Sequence, residues 1–157
     1  MPSETPTHSP SRRRWLVATG GVVAWLQVPS ALAAPSELQA AIDAYTGGAQ
    51  VRQGKVALEI AALVENGNVV PVTIAVDSPM TAEDHVTRIA LFNERNPERD
   101  VARFHLGSRA GRARVSTRIR LATSQRLVAV AAMSDGTWWA GGADVVVTLA
   151  ACVEGDS

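Results

Sequence analysis

The chain has 157 residues, is 46% hydrophobic, and balances 15 basic against 15 acidic residues. That suits one domain with its own core, and the chain is too apolar to be intrinsically disordered. Zero net charge leaves no surplus for the basic face of a nucleic-acid-binding protein, which excludes that class.

At the N-terminus, Ser11-Arg12-Arg13-Arg14-Trp15-Leu16 is a twin-arginine pattern. An apolar run, Leu16 to Leu26, follows it and leads to the small-residue site Ala31-Leu32-Ala33. The run contains two glycines and is too short to span a bilayer comfortably. Residues 1–33 are therefore expected to be a cleaved export signal, with no stable membrane anchor and the bacterial periplasm as destination. Removing them takes away three basic and one acidic residue, leaving a net charge of −2.

Residues 34–50 are expected to hold a short helix and a linker. Leu38, Ala41, Ile42 and Tyr45 recur at helical spacing, Ser36 is placed to cap the start, and Gly47-Gly48 ends it. From Val56 onward the period falls to two. Val56, Leu58 and Ile60 alternate, Glu65-Asn66-Gly67-Asn68 reads as a hairpin turn, and Val70 to Val76 alternates again. Pro71 suggests an edge strand or the beginning of one. Further strands are expected over residues 86–92, 101–106, 115–121, 127–133, 137–140 and 143–151, with Ser134-Asp135-Gly136 and Gly141-Gly142 as turns. Strands at this spacing after one helix predict an all-β, immunoglobulin-like antiparallel sandwich over residues 51–150. Residues 151–157 are left as a polar C-terminal arm.

Chemistry-bearing residues are few. His85 follows Glu83-Asp84 in a loop and His105 lies in a strand, without the spacing of a metal site. No Gly-x-Ser-x-Gly elbow or phosphate-binding glycine loop occurs. Arg109, Arg112, Arg114, Arg118 and Arg120 form a basic run, mostly one solvated strand face, that can attract an anion or an acidic partner. Trp138 and Trp139 are adjacent in a strand and must point to opposite faces; one belongs in the core, and the other is a candidate partner-interface residue or lies beneath a covering loop. Cys152 is the only cysteine, so no intrachain disulfide can form. It shares strand parity with Thr148 rather than with the apolar set Val145, Val147 and Leu149, and a polar tail follows it. A terminal thiol there can act as a tethered reactant.

Several ordered blocks run along the chain: Glu65-Asn66-Gly67-Asn68 with Val70-Pro71-Val72, Asp77-Ser78-Pro79-Met80-Thr81 through Asp84-His85-Val86, and Asn96-Pro97. Ser116 to Ala122 and Val128-Ala129-Val130-Ala131 through Met133-Ser134-Asp135-Gly136 complete the set, and together these blocks resemble the SoxY family of sulfur carriers. The resemblance implies a carrier rather than an enzyme, paired with a SoxZ-like subunit and visited by separate sulfur-oxidising enzymes. By position Cys152 corresponds to the cysteine that carries the sulfur covalently, with no other cofactor and no metal. It implies that a haem-containing enzyme conjugates thiosulfate to that thiol and that a hydrolase later releases sulfate. The family's Gly-Gly-Cys-Gly-Gly arm is replaced here by Ala150-Ala151-Cys152-Val153-Glu154. The alternative reading is a SoxY-like interaction or structural module that has lost or altered its carrier function.

Overall fold

The computed structural model describes residues 36–149. The expected signal segment and the arm with Cys152 lie outside the described residues.

The helix α1 spans Glu37–Thr46. The Ser36 hydroxyl accepts a hydrogen bond from the Gln39 amide at 3.2 Å, and Gly47 closes the helix at φ 67°, a left-handed value that glycine adopts without penalty. Nine strands follow among the described residues: β1 Val51–Gln53, β2 Val56–Glu59, β3 Leu63–Asn66, β4 Val70–Val76, β5 Val86–Asn93, β6 Asp100–His105, β7 Arg114–Ile119, β8 Gln125–Met133 and β9 Trp138–Leu149. The larger sheet has the order β1-β9-β8-β5-β6, with β3 also on β9; the smaller is β2-β4-β7. The expected two-sheet sandwich with one N-terminal helix is the fold found.

Its strand pairing is not wholly antiparallel. β1 runs parallel to the first part of β9 and β3 parallel to its last part, while β2 between them pairs with β4 in the other sheet. The chain thus switches sheets twice along one edge. Asn66-Gly67 is accordingly not a hairpin turn, because the strands it joins lie in different sheets. The turn is held by the Asn66 Oδ1 atom, which accepts from the Asn68 amide at 2.9 Å, and φ at Gly67 is not positive. Pro71 stands near the start of β4, beyond the reach of β2, so its missing N–H breaks no β2–β4 bond.

Gly141-Gly142 also departs from expectation. Both lie inside β9, paired with Ala129 and Val128, and the two expected final strands are one. The glycines are required by crowding. A Cβ on Gly141 would lie 2.0 Å from the Val56 carbonyl oxygen, where β2 crosses over β9, and one on Gly142 would lie 2.9 Å from the Leu127 carbonyl oxygen.

The central strands are buried on both faces. On β5, Ile89 and Leu91 face the core between the sheets, while Ala90 and Phe92 face α1. On β8, Leu127, Ala129, Ala131 and Met133 face the core; Val130 and Ala132 pack with Phe92, Trp138 and Ile42 beneath the helix. This two-sided burial explains the unbroken apolar sequence of β8. At one end of the sandwich a part-buried polar knot joins two loops. Asn96 Oδ1 accepts from the Ala122 amide at 3.0 Å and from Gln125 Nε2 at 2.7 Å, while Gln125 Oε1 accepts from the Arg95 amide at 2.9 Å.

Two measurements check this account. Gly141→Ala is expected to destabilise the domain by about 3 kcal/mol or more in urea unfolding, through overpacking against backbone, whereas Gly107→Ala, with open space around it, is expected to be near neutral. Asn96→Ala leaves the Ala122 amide without its acceptor and Gln125 Nε2 with only the Thr123 carbonyl, and is expected to cost about 1–3 kcal/mol in the same measurement.

Candidate functional site

Leu149 is the last described residue and stands three positions before Cys152 in the sequence, and the corner around it is firmly built. β3 and β9 align Leu63 with Val146, Val64 with Val147, and Asn66 with Leu149. The Gly67 amide donates to the Leu149 carbonyl at 2.9 Å, and the Ser124 hydroxyl accepts from the Val147 amide at 2.9 Å. The arm therefore starts from a fixed point.

That corner is apolar. Leu63, Val69, Val146 and Leu149 are exposed at 60%, 61%, 53% and 63%. Beside them a cleft of about 440 Å³ opens where the chain passes between sheets, lined by Ile60, Leu63, Val64, Val70, Pro71 and Val72 among others. Clustered exposed apolar residues on a small domain mark an interaction surface. The sequence reading missed this feature. Its signal was the break in alternation at Ile60-Ala61-Ala62-Leu63-Val64 and at Val145-Val146-Val147, where apolar residues fall on both parities.

Trp138 and Trp139 do point to opposite faces. Trp138 is only 7% exposed and sits under α1, with Tyr45 edge-on at 5.5 Å between ring centroids. Trp139 is half-buried beside the inter-sheet core, near the β1–β2 corner. The Lys55 ammonium lies 5.1 Å and the Arg52 guanidinium 5.7 Å from its ring, and its Nε1 donates to the Thr137 hydroxyl at 3.2 Å. Covering elements thus account for much of both indoles, and Trp139 keeps the more accessible surface.

The other candidates stay apart. His85 precedes β5, with its amide donating to the Ser134 hydroxyl, and His105 is exposed at the end of β6. Among the described residues no three His, Cys, Asp or Glu side chains gather as a metal site would require. The five arginines are all exposed; Arg114 forms a two-pronged bond to Glu59 at 2.7 and 2.6 Å. Those bonds hold the Glu59 carboxyl below its ordinary pKa and the Arg114 guanidinium above its own. Asp135 is likewise held low, by the hydroxyl and then the amide of Thr137, which steadies the turn ahead of β9.

Comparison with known proteins agrees with this arrangement. The family described as "Sulfur oxidation protein SoxY" matches residues 42–152. Among solved structures, the sulfur carrier protein SoxY from Chlorobium limicola f thiosulfatophilum is similar at 30% identity and a TM-score of 0.61, over 71% of this chain and 96% of that one. A superoxide reductase (neelaredoxin) from Ignicoccus hospitalis shares the fold at 18% identity and a TM-score of 0.53, over 60% of this chain and 80% of that one. The superoxide reductase from Nanoarchaeum equitans does so at 15% identity and a TM-score of 0.52, over 61% of this chain and all of the other. No curated protein matched. With a family match over more than half of its length, and a SoxY structure at 30% identity, the chain belongs to the SoxY family of sulfur oxidation proteins.

Proposed function

We propose that the chain is a covalent sulfur carrier exported to the periplasm, with the thiol of Cys152 as its attachment point. Membership of the SoxY family carries the general role, sulfur carriage in sulfur oxidation rather than catalysis. The observation that supports the specific site is positional. The family match runs to residue 152, where the chain's only cysteine stands, three residues beyond the strand that ends at the apolar corner. The thiolate of Cys152 would join thiosulfate in an S–S bond with loss of two electrons to the separate haem-containing conjugating enzyme, and hydrolysis by a second enzyme would release sulfate and leave the remaining sulfur on Cys152. The tether from Leu149 supplies the local concentration that lets one thiol serve several separate enzymes.

A SoxZ-like subunit is the proposed stable partner, and the sulfur-oxidising enzymes are transient ones. The corner of Leu63, Val69, Val146 and Leu149 holds the exposed large apolar side chains among the described residues and is the proposed surface for the stable contact. The accessible part of Trp139 is a second contact surface in the same proposal. The twin-arginine pattern and the small-residue site at Ala31-Leu32-Ala33 support export.

A second reading is a SoxY-like module with altered or lost carriage, favoured by the arm itself. Ala150, Ala151 and the β-branched Val153 restrict the backbone and widen the arm compared with glycine, and Glu154 puts a negative charge two residues from a thiol meant to receive an anion.

Intact mass spectrometry separates the two. The exported protein, purified without reductant from thiosulfate-grown cells, is expected to carry a sulfur adduct that reductant removes and that Cys152→Ser lacks. A bare thiol, under conditions where another SoxY protein is loaded, would favour the altered module.

A further inference from the structure

Helix α1 leaves a cleft of about 500 Å³ between itself and strands β5 and β6, lined by Tyr45, Arg88, Phe92, Arg99 and Arg103 with Glu98 and Asp100 at its side. Three guanidinium groups therefore face one opening, and their hydrogen-bonding states differ. Arg99 gives one nitrogen to the Asn96 carbonyl and another to Glu37 on α1, yet its Nε is buried without any acceptor. Arg103 is held by Asp100 through Nε and Nη2, and its Nη1 has no acceptor among the described residues. Arg88 has neither a carboxylate partner nor a hydrogen-bond acceptor among the described residues.

What holds Arg88 is the aromatic floor. Its guanidinium lies 5.0 Å from the Trp138 ring and 5.9 Å from that of Tyr45, while Arg103 lies 4.9 Å from the Tyr45 ring. Stacking uses the face of a guanidinium and leaves its in-plane N–H groups free. Both guanidinium groups thus share the half-buried Tyr45 ring, a contact that consumes none of their donors. Arg99 and Arg103 are paired with Glu37 and Asp100, which leaves Arg88 as the one arginine of the three without an ion pair among the described residues; the Glu98 carboxylate at the cleft's side is likewise without one.

We propose that this cleft is a non-covalent binding site for a small tetrahedral oxyanion, of the class shared by sulfate, thiosulfate and phosphate, with Arg88 as principal ligand and Arg103 as the second. The anion's oxygens accept from the in-plane N–H groups of Arg88 and from Nη1 of Arg103, the forked geometry in which guanidinium binds oxyanions best. The site is separate from the proposed carrier thiol. Trp138 and Leu149 are opposite ends of β9, roughly 35 Å apart at 3.3 Å per residue. No bond to sulfur is made or broken here, and the proposal does not rest on Cys152 carrying anything.

The test is calorimetric titration of the full chain with sodium sulfate, sodium thiosulfate and sodium phosphate, at ionic strength held constant with sodium chloride. Saturable one-to-one binding is expected. It should weaken at least tenfold in Arg88→Gln, equivalent to about 1.4 kcal/mol, and also weaken in Arg103→Gln, which leaves the Arg88–Trp138 stack in place. Tighter binding of the two sulfur oxyanions than of phosphate would assign the site to sulfur metabolites, and the reverse order to phosphate. Cys152→Ser should bind as the parent does; loss of binding there would overturn a site independent of the thiol. Heats no different from chloride alone would overturn the proposal. So would undiminished affinity in Arg88→Gln, its fold verified by circular dichroism, or in Arg103→Gln should the first variant not fold.

Discussion

One strand sets the geometry of the whole molecule. β9 must bond to β1 over its first residues and to β3 over its last, because the chain between those two strands leaves the sheet to pair with β4. The crossing brings the Val56 carbonyl against β9 at a distance only glycine permits, and Gly141 stands at that point. Everything downstream follows from that passage. β9 continues unbroken for 12 residues instead of turning back, and it delivers the chain to the corner from which the cysteine-bearing segment starts. A side chain at residue 141 would push the two sheets apart where they share an edge.

Some of this was legible in the residues and some was not, for definite reasons. The helix over residues 37–46 was readable because Ser36, the 3.6-residue apolar spacing and Gly47 all point the same way. β4 and β7 were readable because each has one solvated face and therefore alternates. β1 and β3 escaped because three or four residues at an edge, bonded in parallel to a distant strand, leave no periodic trace. Gly141-Gly142 looked like a turn because glycine pairs commonly make one, and the crowding that demands glycine at 141 comes from β2, 85 residues earlier in the chain, while that at 142 comes from the neighbouring β8. Asn66-Gly67 misled similarly: the local turn is real, but what it joins is decided by the sheet switch.

The candidate site divides along the same line. Cys152 could be singled out by its solitude and its place near the end of the chain. The apolar corner at its root could not, since Leu63 and Val146 become neighbours only through the β3–β9 register. The arginine-lined cleft was likewise invisible. Its residues come from β5, β6 and the loop between them, and what unites them is Tyr45 on a helix more than 40 positions upstream. The basic run that did attract attention lies elsewhere, on β7 and its flanks, where Arg114 is tied to Glu59.

That run has a consequence of its own. β6 and β7 are the outer strands of their sheets on one flank, so both present unpaired backbone groups there. Arg103 and His105 on β6, and Arg114 and Arg118 on β7, are exposed, with Arg103 tied to Asp100 and Arg114 to Glu59. A second molecule approaching edge to edge at β7 would meet the Arg118 guanidinium, which has no carboxylate partner among the described residues, and a charge at an edge strand discourages ladder formation. The opposite flank, with β3, carries the exposed leucines and valines instead. The two flanks therefore differ in kind, and an apolar partner surface finds a match on the β3 side that the charged β6 and β7 side does not offer.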